Sequence, residues 1–145
     1  MAFLKTKLLS KLGEVPSSSL DFSGPVLIFF SASWALPCLK FTTSLADFYN
    51  KEKRSNKKLE IIFASLDSEI KFFDHYSDKM PWLSIPFEKR NVVDMLAYNY
   101  ELEQIPFLVQ VDKEGELLAN NCQDIILEDP NLAYDYFMKL IKRKV

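Results

Sequence analysis

The chain has 145 residues, a length that suits a single domain with one buried core. Nearly half of its residues (48%) are apolar, 14% are aromatic and only three are glycine, so the composition excludes a disordered or low-complexity chain. The formal net charge of −2 gives no general attraction to phosphate backbones, and we therefore expect no nucleic-acid binding.

The two cysteines, Cys38 and Cys122, are separated by most of the chain and have no neighbouring Cys and His residues at metal-ligand spacing. We therefore expect no disulfide, no metal site and no cofactor. Residues 1–12 interleave lysines with apolar residues, which predicts an amphipathic first helix rather than a signal peptide. No stretch approaches the roughly 20 apolar residues of a membrane-spanning helix. We expect a soluble, cytoplasmic monomer without membrane association.

A loop with a short edge strand near Val15 is predicted over residues 13–24, which are rich in Ser, Pro and Gly. The continuous apolar run of residues 25–30 then predicts a central strand buried on both faces. A helical pattern begins at Pro37. Its buried face is predicted to consist of Phe41, Leu45, Phe48 and Tyr49.

A basic segment, residues 51–58, interrupts this pattern. It predicts a solvated helix end and loop, with an anion-binding patch as the alternative. Residues 59–66 form a second apolar run and predict a second buried strand. Because a helix separates the two strands, we expect a parallel pair joined by a right-handed crossover, which is the core of an α/β sheet.

A short helix is predicted over residues 68–78, with Ser68 as its N-cap. Residues 80–87 are predicted to be an aromatic loop because two prolines exclude regular structure there. A further helix is predicted over residues 88–98, with its inward side chains at Val92, Met95 and Leu96.

An antiparallel hairpin is predicted near the end of the chain, because Gly115 can supply the positive φ of a tight turn between strands 107–111 and 116–120. A closing helix is predicted over residues 131–142. Its apolar face is predicted to carry Ala133, Tyr136, Phe137, Leu140 and Ile141. The order of elements predicts one α/β domain over residues 1–145, with a central mixed sheet of parallel strands and a C-terminal antiparallel hairpin, flanked by helices.

Three sequence blocks occur in this order along the chain. The first is Ser-Ala-Ser-Trp at 31–34 with Pro-Cys at 37–38, the second spans 80–87, and the third is Ile-Pro at 105–106. In these blocks the chain resembles the tryparedoxin and nucleoredoxin branch of the thioredoxin superfamily. The resemblance implies a thioredoxin fold, a thiol–disulfide oxidoreductase ancestry, protein or peptide partners that carry thiols or disulfides, and a cis peptide bond before Pro106.

The chain departs from the pattern of this branch within its first block. Ala35 stands where the branch has its nucleophilic cysteine, and Leu36 stands where it usually has a proline. Leu39 and Lys40 replace a common Arg and Gly, and Thr43 replaces a proline. Several departures within nine residues favour natural drift, whereas an engineered change would explain only the alanine.

The missing cysteine determines the predicted chemistry. In members with both cysteines, the first attacks a disulfide from a helix N-terminus that stabilises its thiolate, and the second resolves the mixed disulfide. Alanine can do neither. The resemblance places Cys38 at the resolving position, about one turn into the helix, where it implies a buried and slowly reacting thiol. Very low or absent dithiol activity follows, with a structural role of Cys38 weighed against a residual monothiol role.

The candidate substrate-binding residues are Trp34, Pro37, Trp82, Ile105 and Pro106. The two tryptophan rings are predicted to flank a substrate groove, with core packing as the alternative, and for Trp82 a mixed burial is favoured. A cis proline leaves the adjoining backbone free to pair with an extended peptide, without any sulfur chemistry. Two functions therefore remain: an oxidoreductase family member without its nucleophile, and a redox-inactive module that binds a protein or peptide.

Three further residues are weaker candidates for a role in the site. Asp67 follows the second strand at the sheet edge where α/β proteins bind ligands, but a helix-capping role is favoured. His75, the only histidine, is predicted to be exposed or capping rather than catalytic. Phe29 stands where thioredoxins bury an Asp that assists proton transfer, so the resemblance implies that this general base is absent too.

Overall fold

The computed structural model describes residue 4 and residues 6–144. Within them, the sheet has seven strands. They are β1 (Leu8–Ser10), β2 (Gly13–Val15), β3 (Val26–Ser31), β4 (Glu60–Ser65), β5 (Leu83–Ser84), β6 (Phe107–Val111) and β7 (Leu117–Ala119). Their spatial order is β2-β1-β5-β4-β3-β6-β7.

Helices cover both faces of this sheet. They are α1 (Leu36–Arg54), α2 (Ile70–Ser77), α3 (Arg90–Asn99), α4 (Gln123–Glu128) and α5 (Pro130–Lys144). Side chains alternate across the strands, so Leu27 and Phe29 join the core beneath α1, α2, α4 and α5, while Ile28 and Phe30 join the core beneath α3. The expected α/β architecture with a mixed sheet is confirmed.

Strand β3 is the centre of the sheet and leads directly to the candidate site. It pairs in parallel with β4, from Val26 opposite Glu60 to Ser31 opposite Ser65. On its other side it pairs antiparallel with β6, with Phe30 opposite Phe107. Every residue of β3 is buried, as its continuous apolar run predicts for a strand covered on both faces.

The amphipathic helix predicted over residues 1–12 is wrong for residue 4 and residues 6–12, none of which is helical, and residues 1–3 and 5 lie outside the described part of the chain. Strand β1 pairs with β2 through the register Leu8 opposite Val15. Gly13 supplies the turn with a φ of 124°, which other residues rarely adopt. Pairing between strands thus overrides the weak helical pattern of the lysines and leucines.

Two predictions fail between β4 and α3. Residues 80–87 are not wholly irregular, because Leu83 and Ser84 pair with β4 in the short interval between the two prolines. Ser68 is not the N-cap of α2. That position is occupied by Glu69, whose side chain makes no capping hydrogen bond.

Smaller corrections concern helix faces and bounds. Met95 is largely exposed, and Val93 lies in the core instead. Tyr136 is likewise exposed. Helix α1 ends at Arg54, within the basic segment predicted to be a helix end and loop, and helix α4 was not predicted at all.

Trp82 belongs to the core beneath α1. Its side chain is only 4% exposed. Its ring contacts Phe29 edge to face at 6.0 Å and Tyr49 at 5.6 Å between ring centroids. Packing of this kind stabilises the fold through burial and through the complementary charge of ring edge and ring face.

No helix among residues 4 and 6–144 is both long and apolar enough to cross a membrane.

The two tryptophans are expected to differ sharply in their contribution to stability. Trp82→Ala should lower the free energy of unfolding by about 3–5 kcal/mol, because it leaves a cavity between the sheet and α1. Trp34→Ala is the matched control and should change it by less than about 0.5 kcal/mol, since that ring is exposed. Denaturant unfolding followed by circular dichroism measures both, and equal losses would contradict the assignment of Trp82 to the core.

Candidate functional site

The loop between β3 and α1 carries the first sequence block. Ala35 occupies the N-cap position of α1, with φ −99° and ψ 112°, and its methyl group makes no capping hydrogen bond. Pro37 fits the first turn because that turn has no acceptor for a backbone N–H at this position. Position 35 therefore lies where unpaired N–H groups and the helix dipole favour a negative charge.

The surface around Ala35 is apolar and accessible. Trp34 is 70% exposed and Leu36 is 61% exposed, while Leu39 and Pro37 are also at the surface. Cys38 follows immediately and is 0% exposed. Trp34 at the end of the loop and Leu36 at the start of α1 are thus exposed to solvent, whereas Cys38 is buried.

The Asp67 carboxylate lies beneath this loop and holds its backbone. It accepts hydrogen bonds from the Ser33 backbone N–H at 3.0 Å and from the Ser33 hydroxyl at 2.6 Å. The Ser65 hydroxyl donates to its other oxygen at 3.2 Å. Asp67 is almost fully buried, so these bonds replace its lost hydration. The predicted helix-capping role of Asp67 is wrong.

A second polar cluster lies on the inner side of α1. The Tyr76 hydroxyl shares hydrogen bonds with the Ser31 hydroxyl at 2.7 Å and the Thr42 hydroxyl at 2.6 Å. The Thr42 hydroxyl also donates to the Cys38 carbonyl at 2.7 Å. Burial raises the pKa of Tyr76, which therefore stays a neutral hydroxyl. These contacts join β3, α2 and the first turn of α1. The sequence predicts only a helix over residues 68–78 around Tyr76 and gives no signal of these contacts.

The Ile105–Pro106 peptide bond is cis. Strand β6 begins one residue later, with Phe107 opposite Phe30. Continuing this register places Pro106 beside Ser31, at the end of β3 where the loop begins. Ile105 and Pro106 are both half-buried. The structure thus brings the third sequence block to the same end of the sheet as the first.

Trp82 does not join this surface, contrary to the predicted groove between two tryptophans. It lies in the core against Tyr49, which belongs to the middle of α1 rather than to its first turn. An aromatic residue between two prolines gives the same sequence pattern in a core as at a surface, so the sequence carried no signal to distinguish them. Trp34, Pro37, Ile105 and Pro106 are the predicted residues that share one end of the sheet.

The remaining reactive side chains lie apart from the loop. Cys122 is a free, buried thiol, and burial raises its pKa to about 12. His75 is exposed on α2. Across residues 4 and 6–144, no group of three or more His, Cys, Asp or Glu residues is arranged to hold a metal ion.

Known proteins are similar to this chain in both sequence and structure. A thioredoxin-like family model matches residues 24–117. Tryparedoxin from Trypanosoma brucei brucei is 39% identical over 129 residues, which cover 88% of each chain. Human nucleoredoxin is 35% identical over 123 residues, which cover 84% of this chain but only 28% of that longer protein.

Solved structures of tryparedoxins are similar to the structure of this chain. Tryparedoxin I from Leishmania major matches with a TM-score of 0.82 at 38% identity, over 89% of each chain. A tryparedoxin II complexed with glutathionylspermidine matches with a TM-score of 0.82 at 31% identity, over 90% of this chain and 92% of that one. The predicted thioredoxin fold and the family resemblance are therefore confirmed. The chain belongs to the tryparedoxin and nucleoredoxin branch of the thioredoxin-like oxidoreductase family.

Proposed function

We propose that this chain is a member of its oxidoreductase family that, with its present sequence, does not carry out thiol–disulfide exchange through a pair of cysteines. The observation that carries the proposal is the pairing of Ala35 at the N-cap of α1 with a fully buried Cys38. Dithiol exchange needs an accessible thiolate to form a mixed disulfide and a second thiol to resolve it. A methyl group has no electron pair to attack with, and Cys38 is shielded from any disulfide in solution.

We assign Cys38 a structural role. Its side chain is buried, and the first turn of α1 is held by backbone bonds from Cys38 and Leu39 to the Ala35 carbonyl. Exposing the sulfur would require this turn to open and the Thr42–Tyr76 contacts to break. A residual monothiol activity would therefore need a locally unfolded state.

A second function, binding without redox chemistry, is favoured by the exposed apolar surface. Trp34 and Leu36 form an accessible patch next to the loop that Asp67 holds in place. Rigid aromatic anchors of this kind contribute strongly to protein contacts. The proposed ligand is a protein or peptide, with or without a thiol or disulfide. Trp34, Pro37, Ile105 and Pro106 hold it without a covalent bond.

We also propose the domain organisation and location of this chain and the classes of partner that it lacks. We expect one domain over residues 1–145, acting as a cytoplasmic monomer without a cofactor. Neither nucleic acid nor membrane takes part in this function.

Neither native thiol should react readily in the folded protein. Cys38 is inaccessible, and the raised pKa of Cys122 keeps that thiol protonated from neutral pH up to about 12. An aromatic disulfide reagent should therefore label neither residue quickly near pH 8, and should label both after unfolding in guanidinium. Mass spectrometry identifies the labelled residue, and rapid labelling of native Cys38 would restore the monothiol role.

Restoring the cysteine tests the redox assignment. Ala35→Cys places a thiol at the helix N-terminus, where the dipole lowers its pKa and Cys38 follows as the resolving residue. We expect turnover of insulin disulfides to rise by more than about tenfold over the unchanged chain.

Two controls accompany this variant. Thr43→Cys puts a thiol on the exposed face of the same helix, beyond its first turn, and should remain inactive. Adding Cys38→Ser to Ala35→Cys should trap the mixed disulfide instead of releasing product. If Ala35→Cys is folded but no more active than Thr43→Cys, the missing cysteine is not the only reason for the lack of activity.

The binding function predicts a specific loss at the tryptophan. Trp34→Ala should remove the proteins that the unchanged chain retains from a lysate in the presence of reductant, because the aromatic anchor is gone. Leu127→Ala removes an exposed apolar side chain on α4 and is the matched control. Quantitative mass spectrometry compares the retained proteins, and an unchanged set with Trp34→Ala would count against this surface.

A further inference from the structure

A groove lies between α3 and the β6–β7 hairpin, away from the loop that carries Ala35. Its volume is about 450 Å³. It is lined by Met95, Leu96, Asn99, Tyr100, Glu114, Gly115, Glu116 and Leu117. No part of the proposed binding surface contributes to it.

The direction of β6 shows how the groove is separated from the candidate site. Phe107, at the start of β6, is opposite Phe30 near the end of β3. Strand β6 then runs antiparallel to β3 and reaches the hairpin turn after Val111. Each residue of a strand advances by roughly 3.3 Å, so the turn lies at the opposite end of the sheet.

The walls of the groove are fixed before any ligand arrives. The Tyr100 hydroxyl donates to the Gly115 carbonyl at 2.7 Å and ties the end of α3 to the hairpin. Within the turn, the Asp112 carboxylate accepts the backbone N–H groups of Glu114 at 2.9 Å and Glu116 at 3.0 Å. A rigid groove lowers the entropic cost of binding.

The charges that line the groove are all negative. Glu114 and Glu116 contribute carboxylates, and within the described part of the chain no Lys, Arg or His nitrogen lies within 4.0 Å of either. Burial raises the pKa of Tyr100, and the nearby carboxylates of Asp112 and Glu116 raise it further. The groove therefore has an electrostatic environment that favours a cation.

Apolar side chains lie beside these carboxylates. Met95 on α3 is 43% exposed and Leu117 on β7 is 39% exposed, although both line the groove. Tyr98 lies on the same helix and is 84% exposed. Apolar surface next to unpaired carboxylates suits a lysine or arginine, whose aliphatic stem packs while its charged end pairs.

We propose that this groove binds a basic peptide segment of a partner protein, one that presents a lysine or arginine beside an apolar residue. The cationic group pairs with Glu114 and Glu116. The apolar residue and the aliphatic stem contact Met95 and Leu117. This contact is independent of the surface around Ala35.

A second copy of this chain fits the groove less well. In its own basic segment, residues 51–58, three of the five cations are already engaged. Lys57 lies 3.3 Å from the Glu52 carboxylate, Lys58 lies 3.1 Å from that of Asp21, and Lys51 donates to the Asn131 side chain at 2.6 Å. Binding through any of these three lysines would have to break one of these contacts.

The test uses a short fluorescent peptide of lysine and leucine, and a counterpart with glutamate in place of lysine. Fluorescence anisotropy measures binding to the full chain at low and high salt. The lysine peptide should bind, more weakly as salt increases, and the glutamate peptide should not. The double variant Glu114→Gln/Glu116→Gln should weaken binding about tenfold, as expected for two exposed charge pairs.

A charge-matched control distinguishes the groove from general attraction. Glu69→Gln/Glu88→Gln removes two exposed carboxylates elsewhere, and should change the affinity by less than about twofold. Backbone amide shifts on titration should be largest at Asn99, Glu116 and Leu117. Equal losses in both double variants, or the largest shifts elsewhere, would overturn the proposal. So would a dimer in sedimentation that Glu114→Gln/Glu116→Gln dissolves, since the occupant would then be a second copy.

Discussion

The Asp67 carboxylate fixes the loop on which the whole site is built. Its bonds to the Ser33 backbone and hydroxyl tie the end of β3 to the end of β4. A buried carboxylate without such donors would be costly, so the loop conformation and the burial of this charge depend on each other. None of these bonds involves the side chain at position 35. The loop therefore keeps its shape with an alanine at this position.

This independence separates the geometry of the site from its chemistry. Ala35 occupies the N-cap of a helix whose first turn would stabilise a thiolate, and yet no atom there can carry the charge. Trp34 remains exposed and the peptide bond before Pro106 is cis. The fold is that of an oxidoreductase family, whereas the side chains exposed around Ala35 are apolar. Both descriptions hold for the same residues.

The parts of the fold that local pattern determines could be predicted from the sequence. Strand β3 and helix α1 follow from a continuous apolar run and a helical repeat, and the motif places Trp34 and Ala35 between them and Cys38 in the first turn of α1. Strands β1 and β5 could not be predicted, because they are short and pair with residues distant in the chain, as Leu9 does with Ser84. Asp67, Tyr76 and Trp82 were misjudged or missed for a related reason. Hydrogen bonds and ring contacts between separate elements leave no periodicity in the sequence.

Both cysteines of this chain are buried and unpaired. In a working dithiol protein, oxidation changes the very surface that a partner touches, so its contacts depend on the reducing power of the surroundings. Here the sulfur atoms are covered, and the groups exposed around Ala35 are a tryptophan and aliphatic side chains. Oxidants and reductants that cannot enter the core leave these groups unchanged. The surface around Ala35 therefore presents the same side chains under oxidising and reducing conditions, because none of them carries a thiol.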